Sequence, residues 1–215
     1  MKNNVVFLAS KSPRRRELLS QLGYEVLVLA DPDAPRCFLP DDEVQRANES
    51  PQAYVCRTAK EKYQEGRRLR MQRYPDSLFD ATPIVAADTV VSLDNEVLGK
   101  PRDAAEAIRF LERLSGKTHE VRTAVWVGIG DAAFCDVNLS LVRFRTLRAD
   151  EIAGYVATGE PFDKAGGYGI QGVAGVFVDR IEGSFTGIMG LPVCETSELL
   201  RRCGVPVPAL GAAKS

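Results

Sequence analysis

Short apolar runs alternate with amphipathic stretches along this chain, and the periods of the two predict the elements. Residues 5–9 (VVFLA) read as a buried strand. Ser12-Pro13 then starts a helix: a capping hydroxyl is followed by a residue whose missing N–H costs nothing at the first helical position. That helix carries Leu18, Leu19 and Leu22 on one face and stops at Gly23. A second strand is expected at 24–29 (YEVLVL), then a long polar and acidic loop over 30–49. Ser50-Pro51 repeats the helix start, with a helix to about residue 73. Residues 84–93 (IVAADTVVSL) read as a strand that turns at Asp94-Asn95, two residues that tolerate positive φ, and returns as EVLGK. Asp103 and Glu106 are placed as a capping box for the helix AAEAIRFLERL, which Gly116 ends. Strands follow near 119–129 and 133–146, then a short helix at 150–157 and a glycine-dense stretch at 159–175. A strand (GVFVDRI) and a last helix near 193–203 complete the order. The pattern predicts an α/β fold with a mixed sheet. No repeat or low-complexity linker divides it, so residues 1–205 are expected to form one domain and 206–215 a disordered tail.

Composition narrows the function. Among 215 residues, 28 are basic and 29 acidic, for a net charge of −1, which argues against broad attraction to nucleic acid or an anionic membrane. Any anion site is therefore local. Cys37, Cys56, Cys135, Cys194 and Cys203 are scattered, odd in number and without a C-x-x-C, so they read as free thiols in a reducing compartment. A single histidine, His119, excludes a His-rich zinc site. No secretory h-region is present, and no apolar run nears the ~18 residues of a membrane span. A cytoplasmic protein is the expectation.

Three stretches carry candidate chemistry. Arg14, Arg15 and Arg16 crowd the first turn of a helix, where the macrodipole is already positive; an incoming anion would explain them. They fan over about 200°, so all three cannot hold one phosphate. Arg15 shares its face with the leucines, Arg14 lies beside it, and Arg16 reads as surface. Asp88 sits in an apolar strand, where a carboxylate is expensive unless paired or metal-bound. A two-residue turn places Thr89 opposite Lys100, and a bulge at Gly99 would place Lys100 opposite Asp88. Residues 163–172 (DKAGGYGIQG) match a dinucleotide fingerprint on paper, but no strand precedes them and no helix follows, so an oxidoreductase reading is set aside. They read instead as a glycine loop that lets backbone approach a ligand, with the Gln171 amide presented to read a base edge. The acidic residues Asp41, Asp42 and Glu43 and the cations Lys60 and Lys62 add potential metal and phosphate ligands.

Taken together, S-x-S-P-R-R (Ser10 to Arg15), A-A-D-T-V-V with a downstream L-G-K-P, K-A-G-G-Y-G-I-Q-G and G-S-F-T-G-I-M-G-L-P resemble the Maf family of nucleoside triphosphate pyrophosphatases, from about residue 5 to 203. The resemblance implies an inosine-triphosphate-pyrophosphatase-like fold with two lobes around a cleft. It also implies hydrolysis of a nucleoside triphosphate to the monophosphate and pyrophosphate, assisted by Mg²⁺ or Mn²⁺. It places the general base on Asp88 and substrate contacts on Ser10, Arg14, Arg15, Lys62 and Lys100. Base preference falls on Arg14, Thr89 and Gln171, and a metal ligand on Glu43. The A-D-T form resembles the subgroup acting on dTTP and UTP; the subgroup acting on 7-methyl-GTP carries S-D-Q there. Residues 30–40 depart from the family pattern by about ten extra residues. A homodimer is the family-level expectation, and a non-catalytic nucleotide-binding regulator of septum formation is the competing reading.

Overall fold

A computed structural model describes residues 4–29, 45–76 and 79–211. The elements run β1 (Val5–Leu8), α1 (Pro13–Gln21), β2 (Glu25–Val28), α2 (Pro51–Arg73), β3 (Ile84–Leu93), β4 (Glu96–Leu98) and α3 (Ala104–Leu114). They continue with β5 (Thr118–Ile129), β6 (Ala132–Phe144), α4 (Ala149–Ala157), β7 (Val178–Glu182), α5 (Phe185–Met189) and α6 (Val193–Arg202). Seven strands form one mixed sheet in the order β2-β1-β3-β5-β6-β7, with β4 paired to β3. The mixed sheet and flanking helices match the predicted class.

Local chemistry explains most boundaries. Ser12 and Ser50 cap α1 and α2 by accepting from the N–H groups of Arg15 (3.4 Å) and Ala53 (3.2 Å), with proline at the first helical position of each. Asp94 (φ 52°) and Asn95 (φ 69°) are both left-handed, as a two-residue hairpin turn requires, and Leu93 pairs with Glu96. Half of the expected capping box forms: Asp103 accepts from the Glu106 N–H at 2.8 Å, but the Glu106 carboxylate turns to the N–H of Arg102. The stretch expected as strand GVFVDRI begins as a 3-10 turn, Val173–Phe177, before β7. Residues 206–211, expected in a disordered tail, lie against the end of α1 instead, with the Ala209 N–H donating to the Leu22 carbonyl at 3.0 Å. Among the described residues, no helix is long and apolar enough to cross a membrane.

Strand β3 organises the molecule. Along one edge it pairs with β5 from Ile84 to Ser92. Its other edge is shared: β1 takes Ile84 and Val85, β4 takes Val91 to Leu93, and among the described residues no strand pairs with residues 86–90 on that edge. The two neighbours diverge there like the arms of a fork. One side of the fork carries an apolar cluster of β1, α1, β5 and α6 (Val6, Leu8, Leu18, Leu19, Val125, Leu199). The other carries a second cluster of β4, α3, α4, the glycine loop and the 3-10 turn after it (Leu98, Leu111, Leu114, Tyr155, Tyr168, Phe177). A cleft of about 1070 Å³ opens between them.

Candidate active site

Side chains alternate along a strand, so Asp88 and Thr89, in the open span of β3, leave on opposite faces. Asp88 points to the face covered by α2. There Tyr54, Thr58 and Lys62 recur at four-residue spacing and form one stripe along the helix. Lys62 Nζ donates to Asp88 Oδ1 and Thr58 Oγ1 to Asp88 Oδ2, both at 2.5 Å. Both partners of the ion pair are buried. Burial pushes the Asp88 pKa up, but the Lys62 ammonium, the Arg15 guanidinium and the hydrogen bonds from Lys62 and Thr58 outweigh it. The carboxyl is held below the ordinary aspartate value and is ionised at neutral pH.

The opposite face is held by Arg15. Its Nε donates to the Gly190 carbonyl at 2.7 Å, one Nη to Ser10 Oγ at 3.0 Å and the other to Thr89 Oγ1 at 3.1 Å. Gly190 ends α5 at φ 116°, a left-handed conformation that suits glycine and turns its carbonyl toward the guanidinium. Thr123 on β5 donates to the Gly187 carbonyl at 2.7 Å, which commits its proton. The 2.9 Å contact between Thr89 and Thr123 therefore runs from the Thr89 hydroxyl to the Thr123 oxygen. Thr89 is left able only to accept from a ligand.

Every described residue expected at the site, namely Ser10, Arg14, Arg15, Lys62, Asp88, Thr89, Lys100 and Gln171, lines this one cleft. Seven lysines and arginines line it against three carboxylates, in a chain of net charge −1. Positive charge is therefore concentrated locally, as the arginine-rich turn implies.

Two readings change. The partner of Asp88 is Lys62, not Lys100: the β3–β4 ladder ends at the Val91–Leu98 pair, so no register brings Lys100 opposite Asp88 or Thr89. Lys100 is exposed on the cleft wall. Arg15 also has a reason to be present without any ligand, since three of its five N–H donors already bind protein acceptors. The half-buried Arg14, 3.9 Å from the Asp163 carboxylate across the cleft mouth, is the more available of the two. Arg16 is exposed, as expected.

The glycine loop lies on the far wall. Gly166 (φ 68°) and Gly167 (φ 72°) are left-handed, and a Cβ on Gly166 would sit 2.8 Å from the Val91 side chain. Tyr168 anchors the loop through a 2.7 Å hydrogen bond with His119, and the two rings pack edge-on with Phe144. Burial pushes the His119 pKa down to about 4, so this histidine is a neutral core residue. Gln171 is exposed on the cleft side of the loop. Glu160 braces the loop, accepting from Tyr155 Oη at 3.1 Å and the Val173 N–H at 3.0 Å.

Glu43 and the rest of residues 30–44 lie outside the described residues. Among the described residues, no group of three or more His, Cys, Asp and Glu side chains gathers to hold a metal ion. The cleft carboxylates are already engaged, Asp88 by Lys62 and Thr58, Glu160 by Tyr155 and Val173, Asp163 by Lys164. The described side chains therefore do not by themselves form a metal site.

The family model for Maf-like proteins matches residues 5–203. The chain belongs to the Maf family. It is 48% identical over 204 residues to a dTTP/UTP pyrophosphatase of Bordetella pertussis, covering 94% of each chain. It is 46% identical over 200 residues to one of Dechloromonas aromatica, covering 93% of this chain and 97% of that one. A third such protein, from Neisseria meningitidis, is 45% identical over 205 residues, covering 95% and 96%. Within this Maf chain, two contributors to the site were not singled out from the sequence: Thr58, whose spacing from Lys62 was the available signal, and Thr123, which had none.

Proposed function

We propose that this protein hydrolyses dTTP and UTP to the nucleoside monophosphate and pyrophosphate, with Asp88 as the general base. The observation that carries the reading is a buried, ionised carboxylate at the floor of a cleft lined with cations. The names of the relatives supply the substrate class. Asp88 takes a proton from water, whose oxygen bonds to the α-phosphorus; the bond from that phosphorus to the bridging oxygen breaks, and pyrophosphate leaves. Lys62, Lys100 and Arg14 are fixed positive charges for the phosphates and the departing pyrophosphate. Arg15 fixes the wall by tying α1 to Gly190 and β3, and contributes its charge.

A carboxylate with a depressed pKa is a weak base, and the substrate itself corrects this. The triphosphate brings like charge and competes for Lys62, and both effects disfavour the ionised carboxylate and raise its pKa toward the working range. Base choice falls to Gln171 and Thr89. The Gln171 amide donates to a ring carbonyl and accepts from the N3–H of uracil or thymine. Thr89, with its proton committed to Thr123, rewards a donor and offers none. The expected divalent cation, Mg²⁺ or Mn²⁺, would enter with the triphosphate, which commonly supplies part of such a cation's coordination.

The test is pyrophosphate release from dTTP, UTP, CTP, GTP and 7-methyl-GTP, with Mg²⁺, Mn²⁺ or EDTA, for the wild type beside Asp88→Asn. Cleavage of dTTP and UTP that the variant loses is expected. Activity on 7-methyl-GTP alone would overturn the roles given to Thr89 and Gln171. Tight nucleotide binding with no cleavage would point to the regulator.

A further inference from the structure

Thr58 is fully buried on the inner face of α2, and its hydroxyl faces three acceptors with a single proton. Asp88 Oδ2 lies at 2.5 Å, the Tyr54 carbonyl at 3.0 Å and the Val55 carbonyl at 3.2 Å. The ionised carboxylate is both the nearest and the strongest of the three, so it takes the proton while Asp88 is charged. Once Asp88 has gained a proton, the roles reverse: the Thr58 hydroxyl turns to the Tyr54 carbonyl, and its oxygen accepts from the new carboxylic acid. The exchange is a rotation about one side-chain bond with no backbone movement. The charged groups acting on Asp88 beside it, Lys62 from the same helix and Arg15 from α1, are donors only and cannot accept that proton. Thr58 alone among these three partners satisfies both forms of the acid.

We infer that Thr58 is a positioning residue that holds the Asp88 carboxyl in one orientation through both of its protonation states. The inference rests on the reading of Asp88 as the base and goes beyond it, since it assigns a task to a residue that would not touch substrate. Nothing about helix formation calls for threonine at this position: the residue has modest helical propensity, and a hydroxyl that bonds back to the carbonyl four residues earlier slightly weakens a helix.

The experiment compares wild type, Thr58→Val, Thr58→Ala and Thr58→Ser. Two quantities are read: the pH dependence of dTTP and UTP cleavage, and the titration of the Asp88 side-chain carboxyl by carbon NMR in ligand-free protein, with Asp88→Asn to assign the signal. In Thr58→Val the carboxyl should titrate at higher pH than in the wild type, and the acid limb of kcat should move the same way. Its kcat should fall about tenfold, because a carboxyl free to turn is aligned for proton transfer less often, with KM changed less than about twofold. Thr58→Ser should restore the carboxyl titration, the acid limb and kcat. Thr58→Ala, which makes no demand for space, repeats the loss if valine proves too disruptive to fold. A hydroxyl-free variant that titrates like the wild type, or a serine variant as impaired as valine, would overturn the inference. If the wild type itself releases no pyrophosphate, the functional reading fails, while the carboxyl titration still decides the role of Thr58.

Discussion

Replacing Lys62 with methionine should reverse the sign of the pH dependence that Asp88 contributes to stability. Lys62 and Asp88 are 8% and 9% exposed, and methionine fills most of the lysine's space without its charge. Removing one partner of a buried ion pair typically costs about 3–5 kcal/mol. Thr58 and Arg15 stay to help the stranded carboxylate, so the lower end of that range is expected. In the wild type the folded Asp88 pKa is depressed, so its contribution is fully present above the unfolded value of about 3.9 and is lost as pH falls through the lower folded value. Without Lys62, burial dominates and the folded pKa rises above the unfolded one. Stability then falls as pH climbs from the unfolded to the folded value, by up to about 1.4 kcal/mol per pH unit. Urea unfolding followed by circular dichroism at about pH 5 and about pH 8 measures this, and the gap between variant and wild type should widen at the higher pH. Other titrating groups, His119 among them, are common to both chains and cancel in that comparison. Adding Asp88→Asn should recover much of the loss at the higher pH, because an amide needs no cation. A gap equal at the two pH values, or a double variant no more stable than Lys62→Met, would refute the reasoning.

Three further outcomes are expected. His119, neutral in the fold with its pKa pushed down to about 4, should cost stability as pH falls from about 6.5 toward that value; His119→Phe should flatten that slope, worth about 3 kcal/mol over the range, in calorimetry across acid pH. Gly166→Ala combines a left-handed φ of 68° with a Cβ 2.8 Å from Val91, so the unfolding midpoint should drop by about 5 °C or more, and Val91→Ala in the same chain should return part of it. Gln171→Glu should weaken UTP binding far more than pyrophosphate binding, measured by calorimetric titration of each; equal losses would remove Gln171 from base reading.

Much of the fold was legible because its signals are local. The Ser-Pro starts, the Asp94-Asn95 turn and the apolar face of α1 each depend on residues within a few positions of one another, and all are present in the structure. The 3-10 turn before β7 and helix α5 were not read, because pieces of five residues carry too little periodicity to stand out. The site was legible in part for the same reason. An aspartate inside an apolar strand announces that it needs a partner, but the partner is chosen by packing. Hairpin register pointed to Lys100, five residues past the end of the turn, whereas the contact comes from Lys62 on a helix laid across the strand. The three arginines announced an anion, yet Arg15 spends its donors on Gly190, Ser10 and Thr89, two of them far along the chain. Long-range hydrogen bonds of this kind leave no periodic trace in a sequence.

The fork in β3 has a mechanical consequence. Asp88 hangs from a strand gripped by β5 along its other edge from Ile84 to Ser92, while the walls that would hold phosphate and base branch off to either side. Loops on either wall can therefore lengthen or be exchanged while the Asp88 carboxylate stays anchored on β3. A chimera that transplants residues 163–172 from a relative of different base preference should change which nucleotide is cleaved while keeping the same dependence on Asp88. Chemistry and choice of substrate are then separate inheritances, and one can diverge while the other stands still.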